Sequence, residues 1–131
     1  MCPEIERRQI IDYTGVNVGD FETSRRFYVT ALAPLGYELL LEFHGSVAGF
    51  GEPGKPDFWI GQGEANTPRV HIAFQADTRQ KVDAFYEAAL RAGGRDNGAP
   101  GLRPQYHPDY YGAFVLDPDG HNIEAVCHSP A

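Results

Sequence analysis

Cysteine is scarce in this sequence: Cys2 and Cys127 are the only two in 131 residues. Two such residues do not make a disulfide framework, and free thiols are the expectation in a reducing compartment. Basic residues are few as well. Eleven Lys and Arg face 18 Asp and Glu, for a formal charge of -7. Nucleic acid and anionic membrane both require clustered Lys and Arg, so neither is an expected partner. Long apolar runs are missing too, and none approaches the roughly 18 residues of a membrane span. The opening stretch, MCPEIERRQIID, lacks the apolar centre of a signal peptide. A cytoplasmic location is the resulting expectation.

What is present fits one domain over residues 1–131. The chain has the length of a single compact unit, and its 42% hydrophobic share is ordinary. An internal repeat organises it. Shifted by 58 positions, Phe27-Tyr28 falls on Phe85-Tyr86, Ala31-Leu32 on Ala89-Leu90, and Gly36 on Gly94. The preceding segment follows the same shift, with Tyr13 on His71, Val16 on Phe74 and Asn17 on Gln75. Module one covers about 9–62 and module two about 68–128. Each opens on an alternating segment, Ile11 to Val18 and Arg69 to Ala76, which reads as a strand. An amphipathic helix follows, with stripes from Ser24 to Leu35 and from Val82 to Gly93. Asp20 is the expected N-cap of the first helix, and Asp77 with Gln80 forms a capping box for the second.

Apolar runs at Tyr37 to Phe43, Val47 to Phe50 and Asp57 to Gly61 then predict strands. In the second half a Gly/Pro-rich loop is expected from Gly93 to Pro108. A hairpin follows from Ala113 to Cys127, turning at Asp117-Pro118-Asp119-Gly120. Aligning Gly54 with Gly120 makes Phe58 the counterpart of Glu124. The fold class is therefore α+β, two βαβββ modules in tandem. Strand parity sends Val16, Val18, Phe74, Ile123, Ala125 and Cys127 under the helices. The opposite faces carry Tyr13, Asn17, His71, Gln75, Glu124 and His128, and would line a cleft. His71 and Glu124 are then neighbours on its wall.

These segments resemble the glyoxalase/bleomycin resistance protein/extradiol dioxygenase group, the vicinal oxygen chelate superfamily. The resemblance lies in IDYTGVNVGD at 11–20, SRRFYVTALAPLGYELL at 24–40, VHIAF at 70–74 and FVLDPDGHNIEAV at 114–126. It implies paired modules closing a half-barrel cleft around a divalent metal (Zn, Ni, Mn, Fe or Co). It also implies lyases, isomerases, epoxide-opening transferases, dioxygenases or metal-free drug-binding proteins as functions. His71 and Glu124 match ligand positions in the second module. A histidine usual in the first strand is replaced here by Tyr13, and Phe58 cannot ligate. Tyr13 either completes the metal shell or donates a hydrogen bond to substrate. His71 and Glu124 either hold an ion or simply bond each other.

The segment from Pro104 to Gly112 packs Tyr106, His107, Tyr110 and Tyr111 into nine residues. It either roofs the cleft or serves as an interface or surface loop. His44, His121 and His128 read as surface or loop residues, with His121 on the helix side. The first expectation is a metal-assisted lyase or isomerase acting on a small oxygen-rich substrate. In it Glu124 and Tyr13 are catalytic, and Asn17, Phe58, Gln75, Tyr106, His107 and Tyr111 contact substrate. The alternative is a metal-free binding protein for an aromatic or drug-like molecule. A homodimer is expected from the resemblance.

Overall fold

The computed structural model describes residues 10–130; Cys2 and the start of module one lie outside them. Module one runs β1 (Thr14–Val18), α1 (Phe21–Leu32), a short 3-10 turn, β2 (Glu38–Phe43), β3 (Val47–Glu52) and β4 (Lys55–Gln62). Module two runs β5 (His71–Gln75), α2 (Arg79–Arg91), β6 (Arg95–Leu102), β7 (Tyr111–Leu116) and β8 (Asn122–Cys127). The sheets have the orders β1-β4-β3-β2 and β5-β8-β7-β6. In each the first strand pairs in parallel with the last, and the remaining pairs are antiparallel. This is the tandem βαβββ arrangement that the repeat and the alternation predict.

Asp20 caps α1 as expected, accepting from Thr23 N at 3.2 Å. The second cap is a correction. Thr78 accepts from Lys81 N at 3.2 Å, while Asp77 pairs with the Lys81 side chain at 3.3 Å. Thr78 is the residue directly before the first helical turn, so its hydroxyl reaches the free amide first.

A second correction concerns the Gly93–Pro108 stretch, which contains β6 rather than loop alone. Among the described residues β6 pairs only with β7. An edge strand tolerates Gly98 and Pro100 because one side of its backbone needs no partner.

The third correction is one of register. Thr14 lies opposite Phe58, and its repeat mate Ile72 lies opposite Ile123. Phe58 therefore matches Ile123, and Trp59 matches Glu124. The cause is a bulge in the β3–β4 pairing between Phe50 and Gly51, which puts one more residue between Gly54 and Phe58 than lies between Gly120 and Ile123. Gly51 permits it, since a Cβ there would stand 2.1 Å from the Lys55 carbonyl oxygen.

The helices bury their apolar faces in one continuous core. Phe58 joins the modules there, with its ring 5.0 Å from Tyr28 and 5.2 Å from Phe74. A polar tie runs beside it. Tyr28 Oη of α1 donates to Asp117, in the β7–β8 turn. Asp117 Oδ1 also accepts from Asp119 N at 2.9 Å and His121 N at 2.8 Å. The DPDGH turn is thus held by a side chain from the other module, and the buried carboxylate is satisfied. Among the described residues no helix is long and apolar enough to cross a membrane.

Candidate active site

His71 opens β5, and Glu124 is the third residue of β8. The parallel pairing sets Glu124 opposite Ala73, two residues beyond His71. Both side chains leave the same face, so the carboxylate reaches back to the imidazole. Nε2 of His71 and Oε1 of Glu124 are 2.9 Å apart. Glu124 is only 1% exposed, whereas the His71 side chain is 53% exposed. The second carboxylate oxygen, Oε2, accepts from Tyr110 Oη. Both oxygens thus have a protein donor, as a buried carboxylate requires. Gly112 makes room for this approach. A Cβ there would meet Tyr110 Cε1 at 3.2 Å and Glu124 Oε2 at 3.3 Å.

His71, Glu124, Tyr110, Tyr106 and Phe114 line a cavity of about 280 Å³. A larger one, about 760 Å³, lies on the other side of His71. Tyr13, Tyr37, Asp57 and Gln75 help line it, and Tyr37 Oη donates to Asp57 at 2.9 Å. His71 belongs to both cavities, and Glu124 to the small one alone.

The structure sorts the sequence-predicted residues accordingly. His71, Glu124 and Tyr106 come together. Tyr13 is 63% exposed and shares the larger cavity with His71 and Gln75, away from the carboxylate. Asn17 lies on the open face of sheet one, where its backbone N–H donates to Asn66 Oδ1 at 2.9 Å. Neither cavity includes it. Phe58, 1% exposed, packs as a core ring and only borders the larger cavity. Tyr111 faces α2, donating to Asp83 at 2.7 Å beneath the Arg79 guanidinium, and neither cavity includes it. Strand parity explains this, since Tyr111 shares a face with the buried Ala113 and Val115.

Of the four aromatic and histidine side chains in the Pro104–Gly112 segment, Tyr110 is the one that bonds Glu124, and it shares parity with Gly112 and Phe114. His107 stands behind Tyr110 and bonds His128 at 2.7 Å. His121, in the turn and on the helix side as its parity implies, is fully buried. Its Nδ1 accepts from Val70 N at 3.1 Å, which anchors the approach to β5. Among the described residues no three His, Cys, Asp or Glu side chains converge.

The sequence profile of the Glyoxalase/Bleomycin resistance protein/Dioxygenase superfamily matches residues 10–125. The chain belongs to this superfamily. A glyoxalase/bleomycin resistance protein from Albidiferax ferrireducens T118 superposes with a TM-score of 0.78 at 28% identity, covering 91% of this chain and 99% of that one. A family enzyme from Burkholderia phytofirmans PsJN gives 0.70 at 20%, covering 91% and 98%. Lactoylglutathione lyase from Agrobacterium tumefaciens gives 0.64 at 19%, covering 92% and 94%. At the last two identities the likeness shows the fold. No curated protein matches the chain.

In this superfamily member several phenols are held neutral. Burial first, and then the bond to Glu124, pushes Tyr110 well above the ordinary phenol value. Burial and Asp117 do the same to Tyr28, and burial and Asp57 to Tyr37. Groups raised in the folded state contribute stability that is fully present below the unfolded value, near ~10. It is lost as pH climbs from there toward the folded values. The urea midpoint is therefore expected to fall once pH passes about 10, and less steeply in Tyr110→Phe. An identical alkaline slope in the two proteins would contradict a Tyr110 phenol raised by burial and by Glu124.

Proposed function

We propose that the chain is a glyoxalase-like enzyme that performs lyase or isomerase chemistry on a small, oxygen-rich substrate with the aid of a divalent metal. The supporting observation is the 2.9 Å contact of His71 Nε2 with Glu124 Oε1, at the wall of a cavity. An imidazole and a carboxylate are donors that Zn, Ni, Mn, Fe and Co all accept. Members of the superfamily often bind divalent metals. His71 and Glu124 fit such an ion as two ligands, and the Tyr110 phenol is the nearest further donor. When bound, the ion supplies Lewis acidity to a substrate oxygen.

The chain's own groups supply the rest. Glu124, buried and aimed into the small cavity, takes the proton from a C–H beside a carbonyl. His71 donates its Nε2–H to that carboxylate and so orients it. Tyr110 holds the second carboxylate oxygen, and Tyr106 and Phe114 line the cavity beside it. The lean toward a lyase follows fold analogy with the Agrobacterium protein. Tyr13 and Gln75 contact substrate only where it extends into the larger cavity.

One observation favours a second reading, a metal-free binding protein. Both oxygens of Glu124 already have donors, from His71 and Tyr110, so the carboxylate is satisfied without a cation. We also propose a homodimer in the cytoplasm. The open face of sheet one exposes Tyr13, Leu41 and Phe43, with Phe43 stacked on Trp59 at 6.4 Å. A second copy would cover this apolar surface.

Protein purified without tag or chelator is expected to carry metal, and its melting temperature to rise on addition of Ni, Zn, Mn or Fe. His71→Ala and Glu124→Gln should each abolish that rise. Less than about a tenth of an equivalent of metal, with no thermal shift, would contradict the metal reading in favour of the second. Sedimentation should give twice the chain mass; a single-chain mass contradicts the dimer.

A further inference from the structure

We propose that His107 and His128 form a clasp that positions Tyr110 on Glu124, an inference that rests on Glu124 being the reactive group. The segment between β6 and β7 folds back on itself. Its neck is closed by Arg103 N donating to Tyr110 O at 2.7 Å. Tyr106 N donates to Arg103 O at 2.9 Å, and Tyr110 N to His107 O at 3.1 Å. These bonds shape the loop backbone, yet none of them aims the Tyr110 ring at the carboxylate.

The ring is aimed by what lies behind it. The imidazoles of His107 and His128 each have a centroid 5.5 Å from that of Tyr110, with planes 75° and 83° away from its own. The two imidazoles are bonded to each other. Nε2 of His107 and Nδ1 of His128 are 2.7 Å apart. The ring centroids are 4.9 Å apart and the planes only 24° apart, as an edge-to-edge, nearly in-plane N–H···N bond requires.

The direction of that bond follows from a third contact. Asp109 N–H donates to Nδ1 of His107 at 3.1 Å, so this nitrogen carries no proton. Nε2 of His107 is therefore the donor, and Nδ1 of His128 the acceptor. The same tautomer leaves His107 Nε2 without a free lone pair, which makes the pair a hydrogen bond and not a metal site.

His128 directly follows β8, the strand that carries Glu124. The clasp thus ties the loop bearing Tyr110 to the strand bearing its acceptor. Gly112 completes the seat, since a Cβ there would press on both Tyr110 and Glu124. His107 and His128 are positioning residues: they act on the carboxylate through Tyr110.

The test uses the full chain labelled for NMR, reading the Tyr110 hydroxyl proton and the His71 ring. A protected hydroxyl proton is expected in the wild type. In His128→Leu it should exchange about tenfold faster or more, as the loss of one net hydrogen bond implies. The His71 signals should move toward those of Tyr110→Phe. His128→Asn places an oxygen where Nδ1 was and should restore the wild-type pattern. His107→Gln keeps an N–H at the place of Nε2 and should also retain it. His107→Leu repeats the disruption from the loop side should His128→Leu not fold. Wild-type exchange in the leucine variants, or no rescue by His128→Asn, overturns the clasp. Because the readout is a proton on Tyr110, failure of the proposed chemistry at Glu124 leaves this result untouched.

Discussion

A carboxylate that is 1% exposed on a sheet face must have its charge answered by nearby donors, or it will not stay there. Much of module two is arranged around that requirement at Glu124. The parallel pairing of β5 with β8 brings His71 to one oxygen. A glycine at 112 lets Tyr110 reach the other. The loop from Arg103 to Tyr110 and the two histidines behind it give Tyr110 a fixed place. The half-exposed His71 ring then leaves the pair reachable from a cavity. Burial and access, usually opposed, coexist because one partner of the carboxylate is exposed and the other is not.

Module one has the same backbone and no such chemistry. The place of Glu124 is taken by Trp59, whose ring lies over Gly49 and stacks on Phe43. One copy of the repeat thus offers a flat apolar face and the other a polar centre. The repeat supplies a common frame, and two register positions, Tyr13 against His71 and Trp59 against Glu124, set the halves apart.

Much of this was legible in the residues. The 58-residue repeat and the period-two alternation yield the tandem modules, and parity puts His71 and Glu124 side by side. Where the reading failed, local backbone geometry had intervened. The bulge at Gly51 adds a residue that no alternation pattern reveals, so Phe58 was matched to Glu124 although it belongs to the core. β6 hid among glycine and proline because an edge strand tolerates both. Four aromatic and histidine side chains within nine residues left no basis for choosing Tyr110 until β7 fixed which of them face the cleft. The roles of His121 and His128 depend on contacts with segments far away in the chain, and composition carries no trace of those.

A working base at Glu124 differs from a satisfied buried acid in what it does to a C–H bond beside a carbonyl. The most direct measurement is solvent deuterium exchange, followed by proton NMR, into a panel of small enolisable carbonyl compounds. The wild-type protein should catalyse exchange at the C–H beside the carbonyl. Glu124→Gln, which keeps the shape and removes the base, should lower the rate by about a hundredfold or more. No exchange by the wild type, or equal exchange by both proteins, would contradict the account.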